Sequence, residues 1–347
     1  MLLPDPRGPI SGAVVDALLE RGPVPAWSDV VRPFRPTALT HDDDIQLALW
    51  TCYELHYRGF DDVDDDWDSC PELLALRLHL ERHWLVELRA LAPVPPLAVD
   101  DVPAALRDLT TADEGPSMAM FLQRKATLAQ FREFAVHRSV YHLKEADPHS
   151  WALPRLGGVA KAALVEIQAD EYGGGRVERM HAELFRQTLR ALGLNDTYGH
   201  YVDQVPAVTL AVSNLMSLFG LHRRWTPALL GHLAAFEMTS SLPNRRYGNG
   251  LRRLGMGADA TRFYDEHVEA DAVHEQIAAN DLCGGHVTDH PGSAPDVLLG
   301  AACGLAVDRE FARFLMDRWQ QGMSSLRGQT IGEPPVAAIT SDAQGRS

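Results

Sequence analysis

Apolar residues recur at three- and four-residue spacing through nearly the whole of this chain, and alternating apolar–polar runs are almost absent. Residues 43–57 (DDIQLALWTCYELHY) and 71–92 (PELLALRLHLERHWLVELRALA) show the pattern well. Further helices are expected over 117–145, 157–172, 177–193, 203–223, 226–241, 257–280 and 296–322. The proline-rich stretch 93–103 (PVPPLAVDDVP) reads as a linker. It divides an N-terminal helical extension, residues 1–114, from a main body, residues 115–325, which a tail, 326–347, follows. Asn249-Gly250 falls in an arginine-rich stretch, PNRRYGNGLRR, that reads as a connection between two helices. Long helices with short connections make an all-α bundle, and bundles build cofactor sites from side chains on facing helices. The informative residues are therefore polar ones on faces that should be apolar.

Charge narrows the partners. The 347 residues include 47 acidic and 32 basic side chains, a formal charge of −15. That field repels phosphate backbones and anionic lipid, so neither nucleic acid nor a membrane surface is expected as a partner. Carboxylates are, however, the ligands that hard metal ions prefer. Cys52, Cys70, Cys283 and Cys303 show no C-x-x-C spacing, which argues against a zinc knuckle, an iron–sulfur cluster or a disulfide scaffold. The N-terminus, MLLPDPRGPISGAVVDALLE, lacks a basic region followed by an apolar one. The most apolar stretch, 206–221, is short and contains Ser213, Asn214 and Ser217, so it reads as a core helix. A soluble, cytoplasmic protein is the expectation.

The strongest local signal is FYDEHVEADAVHEQ, with His267, Asp271 and His274 at i, i+4 and i+7. On a helix these fall within an arc of roughly 60°. Two imidazoles and a carboxylate on one face form a metal-binding set; Glu266, Glu269 and Glu275 leave a solvated face as the alternative. In the preceding helix, Glu237 stands between Phe236 and Met238 in an apolar segment. A buried carboxylate needs a cation, either a metal or an arginine such as Arg245 or Arg246. Upstream, Glu178 and His181 form Glu-x-x-His, and Asp271 and His274 form Asp-x-x-His. A carboxylate-bridged di-iron bundle uses two acid-x-x-His helices and two single carboxylates. Glu237 fits one single position and Glu145 the other, although a glutamate beside Lys144 also suits solvent.

Glu171 competes with Glu178. It lies ten residues before His181, which on a straight helix leaves the two roughly 80° out of register. Gly173-Gly174-Gly175 stands between them, either separating two helices or forming a distortable segment. Spacing alone does not choose.

Taken together, DEYGGG with His181, then Glu237, then His267-x-x-x-Asp271-x-x-His274 resembles the heme-oxygenase-like diiron oxidases and oxygenases, the iron-containing redox enzyme family. The resemblance covers roughly residues 115–325 and implies a heme-oxygenase-like bundle. It implies seven ligands: Glu145, Glu171 in preference to Glu178, His181, Glu237, His267, Asp271 and His274. It also implies a mobile glycine-containing helix with labile metal, two Fe²⁺ ions per chain, and O₂ as co-substrate. The expected activity is O₂-dependent oxidation of a small organic substrate by N-oxygenation, desaturation or oxidative C–C cleavage of an amine, amino acid or fatty acid. An iron-binding ferroxidase or storage bundle is the alternative. An external electron donor and a homodimer are compatible with either reading. Pocket candidates are Met216, Leu218, Phe219, Tyr141, Tyr172 and Phe236; Arg138, Arg245 and Arg246 could hold a substrate carboxylate but read better as solvated surface.

Overall fold

The computed structural model describes residues 1–24, 39–94, 101–112 and 117–328, apart from the side chains of 269–273. No strand occurs among the described residues, and none of their helices is long and apolar enough to cross a membrane. The N-terminal part contributes α1 (Pro9–Leu18), α2 (Asp43–Glu54), α3 (Pro71–Leu91) and α4 (Val102–Thr111). The rest comprises α5 (Met118–Arg124), α6 (Leu128–His142), α7 (Asp147–Ser150), α8 (Gly158–Glu171), α9 (His181–Ala191) and α10 (Ala207–Leu221). Then come α11 (Thr226–Arg253), α12 (Ala258–Gln276), α13 (Gly285–Asp289) and α14 (Ala294–Gln320). A π-helical segment, Ile277–Gly284, joins α12 to α13 and packs on α8.

The all-α expectation holds, and the boundaries differ for identifiable reasons. The helix expected over 117–145 is two, because Thr127 and Gln130 form a reciprocal capping box that starts α6 afresh. α1 and α4 were not anticipated; α4 begins inside the stretch read as a linker, where the Asp101 side chain caps the Ala104 N–H. The connection expected at PNRRYGNGLRR is absent. α11 runs through Pro243 and Asn249-Gly250 to Arg253. Tertiary packing overrides the turn signal there: a Cβ on Gly250 would stand 2.6 Å from the Leu122 carbonyl oxygen, so glycine is needed for close approach to α5. Arg253 fastens the same contact, donating to the carbonyls of Gln123 at 2.8 Å and Ala126 at 2.6 Å.

α11 and α14 form the spine of the bundle, with α12 packed along α11. Their crossing is set by two glycines. A Cβ on Gly231 would lie 1.8 Å from the Val297 carbonyl oxygen, and one on Gly300 would lie 1.8 Å from that of Ala228. The two backbones therefore touch. α2 packs on α10, and α3 and α4 pack on α14, so one apolar core runs from Ile10 through Leu47, Trp84 and Phe219 to Phe311. The tail expected over 326–347 lies outside the described residues from 329 onward, as do residues 95–100 of the linker.

Candidate metal centre

Two interruptions of helical structure and two long helices bring the polar residues together. α6 ends at His142, and Glu145 follows in the turn before α7. α8 ends at Glu171, and the chain then passes through Gly173, Gly174 and Gly175 at φ of 64°, 60° and 78° before α9 begins at His181. All three glycines occupy the left-handed region that other residues avoid. The triple glycine thus separates two helices, and the reversal carries His181 Nδ1 to within 3.0 Å of Glu171 Oε2. Glu178 lies in the exposed turn between them, away from the cluster. α11 supplies Glu237, and α12 supplies His267 and His274.

Two groups of donor atoms result. Glu145, Glu171, His181 and His267 each offer one ligand atom, and these lie within 4.8 Å of one another. Glu171, Glu237 and His274 do the same. Glu171 belongs to both. His267 Nε2 is 3.7 Å from Glu145 Oε1, the His181 and His267 rings are 4.3 Å apart, and His274 Nδ1 is 3.4 Å from Glu237 Oε2. Glu237 is thus partnered by a histidine of α12, not by Arg245 or Arg246. The side chain of Asp271 lies outside the described residues; in sequence the residue falls within α12 between His267 and His274.

The hydrogen bonds around the cluster orient its imidazoles. The His267 Nδ1–H donates to the Phe263 carbonyl at 2.8 Å, which leaves Nε2 as a lone pair toward Glu145. His274 Nε2 bonds Asp170 Oδ2 at 3.0 Å, which turns Nδ1 inward. A carboxylate or carbonyl behind a histidine is the arrangement that presets a metal-ligating nitrogen. Asp170 and His142 are functional neighbours that the sequence reading did not single out for these tasks. His142 Nδ1 holds the second oxygen of Glu145. Both stand next to or three residues from a ligand candidate, and that spacing was the available signal.

Burial and neighbouring charges set the protonation of the cluster. Burial pushes the Glu237 carboxyl up, helped by neighbouring Glu171 and opposed by His274. Burial would do the same to Glu171, but His181, His267 and His274 outweigh it and hold that carboxyl down. His267 is pushed down to about 4 by burial and by His181. For His274, burial works against the proton, yet Glu237 and Asp170 raise it to about 9. Neither Glu171 Oε2 nor His274 Nδ1 completes a hydrogen bond of good geometry, although both are buried. Carboxylates and neutral imidazoles in this mixture suit iron, and metal would take the place of the proton on His274.

A cavity of about 140 Å³ opens onto the cluster, with Glu145, Glu171, Glu237 and His267 in its wall. Of the pocket candidates, Tyr141 and Phe236 line it; Tyr172 lines a smaller neighbouring space; Met216, Leu218 and Phe219 are plain core. Arg138 is not the solvated residue that was expected. It is 8% exposed and forms part of the cavity wall.

Such a bundle, with acids and histidines gathered inside it, is the architecture of heme-oxygenase-like iron proteins. The chain matches the family model described as iron-containing redox enzyme over residues 132–309, just over half its length, and belongs to that family of oxidoreductases. It is also similar to the nitrosourea synthase of Streptomyces achromogenes subsp. streptozoticus, 26% identical over 161 residues. That match takes in 46% of this chain and 34% of the synthase, so the chain spans about a third of its relative's length.

Proposed function

We propose that the cluster holds two ferrous ions and that the chain is an O₂-dependent oxidoreductase oxidising nitrogen in a small organic substrate. The observation that carries this reading is the position of Glu171 in both donor groups. A carboxylate shared by two ligand sets is what a bridged dinuclear centre requires. Glu145, His181 and His267 would hold one ion with it, and Glu237 and His274 the other; Asp271 completes the set that the family resemblance implies. Two ferrous ions side by side supply electrons for the reduction of O₂.

The remaining work falls to the protein. Phe263 and Asp170 fix the imidazoles, His142 holds one oxygen of Glu145, and Phe236 and Tyr141 give the cavity an apolar border. Similarity to a nitrosourea synthase points to nitrogen as the atom oxidised. The cavity, about 140 Å³, is close to the space that accepts benzene in a protein core, which suits a small substrate. An open substrate cavity also weighs against the ferroxidase alternative. For an amine the balance is R–NH₂ + O₂ + 2e⁻ + 2H⁺ → R–NHOH + H₂O, so each turnover draws two electrons from an external donor.

Anaerobic titration with ferrous ion tests the reading. Uptake of about two ions per chain is expected, followed after O₂ addition by an N-hydroxylated product, one oxygen heavier, from a panel of small amines and amino acids. Uptake that stays at trace level overturns it.

A further inference from the structure

We infer that Arg138 anchors the carboxylate of the substrate, which makes that substrate a small amino acid and not a simple amine. This rests on the oxidase reading above and adds an element it does not contain. Arg138 is the single lysine or arginine among the described residues lining the cavity that opens onto Glu145, Glu171 and Glu237. A buried guanidinium is costly, and this one is held with some care. Its Nη2 donates to Asp308 Oδ1 at 2.9 Å, and its carbon lies 4.6 Å from the Phe311 ring centre and 5.5 Å from that of Phe134. Ring contacts and a carboxylate fix the plane of the group. Asp308 takes one of the five N–H donors and the Tyr247 hydroxyl faces the group as well, which leaves part of a fork whose geometry matches a second carboxylate.

Placement supports the assignment. Arg138 lies one helical turn, roughly 6 Å, before His142, and His142 is bonded to Glu145. Arg138 and the acidic cluster line one cavity of about 140 Å³, so a carboxylate docked on Arg138 shares that space with Glu145, Glu171 and Glu237. Asp308, half-exposed, is the positioning residue that keeps the guanidinium turned into the wall.

Calorimetric titration of the iron-free and the anaerobic ferrous protein with common amino acids, each paired with its decarboxylated amine, tests this. At least one amino acid should bind tenfold or more tightly than its own amine, since a charge-assisted bond lost from a buried partner has that weight. In Arg138→Gln the ratio should fall to within about twofold, with partial recovery in Arg138→Lys and ferrous stoichiometry unchanged. Asp308→Asn, a gentler change, should lower the ratio and Asp308→Glu restore it. Equal binding of acid and amine, a ratio that survives Arg138→Gln, or no amino acid binding at all overturns the inference. Ferrous uptake that fails while the ratio persists would instead strike the dinuclear reading and leave the carboxylate anchor standing.

Discussion

His181 Nδ1 stands 3.0 Å from Glu171 Oε2, although ten residues separate the two in sequence and neither lies on the other's helix. The contact exists because the backbone reverses through three left-handed glycines. It sets Glu171, and not Glu178, beside His181. Glu171→Ala should reduce ferrous uptake from about two ions to one or fewer, because the residue common to both donor groups is lost. Glu178→Ala, in the exposed turn, should load and turn over like the parent. Inductively coupled plasma analysis of anaerobically loaded protein reads both; a Glu178 variant that loses iron would reverse the assignment.

The three glycines are not equally demanding. A Cβ on Gly173 would lie 2.6 Å from both Arg179 C and Met180 N, while one on Gly174 would meet nothing within 4 Å. Gly174→Ala thus carries only the left-handed backbone penalty, about 1–2 kcal/mol. Gly173→Ala must also displace the strip of backbone leading into His181. The expected order of iron affinity is parent, then Gly174→Ala, then Gly173→Ala by a wide margin. Competition with a ferrous chelator measures it, and equal affinities would show that the reversal does not position His181.

Acid sensitivity should arise partly from outside the centre. His137 is 1% exposed, bonded through Nδ1 to Thr209 Oγ1 at 2.7 Å and through Nε2 to Ser325 Oγ at 3.0 Å. Burial, with Arg138 beside it, pushes its pKa down to about 3. The folded state thus keeps this ring neutral while the unfolded chain protonates it near 6.5. Its contribution is intact above about pH 6.5 and lost as pH falls toward about 3. Within that window the slope approaches about 1.4 kcal/mol per pH unit for one proton. His137→Gln should cost stability at neutral pH yet lose less of it between pH 7 and pH 5. Urea unfolding at the two values compares the slopes, and parallel losses would exclude His137 as the source.

How much of this was legible in the chain follows from which interactions are local. Helical periodicity is local, so the all-α class could be read, as could the His267–His274 face and the anomaly of Glu237 in an apolar segment. Asn249-Gly250 misled because a turn dipeptide is judged by its neighbours in sequence, whereas Gly250 answers to Leu122 across the bundle. Arg138 was misjudged in the same way: nothing adjacent to it reveals that Phe311 and Asp308, some 170 residues later, wall it in. Glu145 could be read as a single carboxylate, and its bond to His142, three residues earlier, spans the end of α6. Which of Glu171 and Glu178 stands beside His181 needed the reversal itself, which three consecutive glycines permit without dictating its direction.

The contact of α11 with α14 through Gly231 and Gly300 has a bearing on the centre far from either glycine. Glu237 rides on a helix seated backbone against backbone, where even a methyl group has no room. Glu171 and His181 stand at the two lips of a break that has ample room at Gly174 and Gly175. The cluster is therefore assembled across a seam of unequal stiffness. Should the cluster take up metal, α11 is expected to serve as the fixed ruler, and the gap between Glu171 and His181 to be the length that changes.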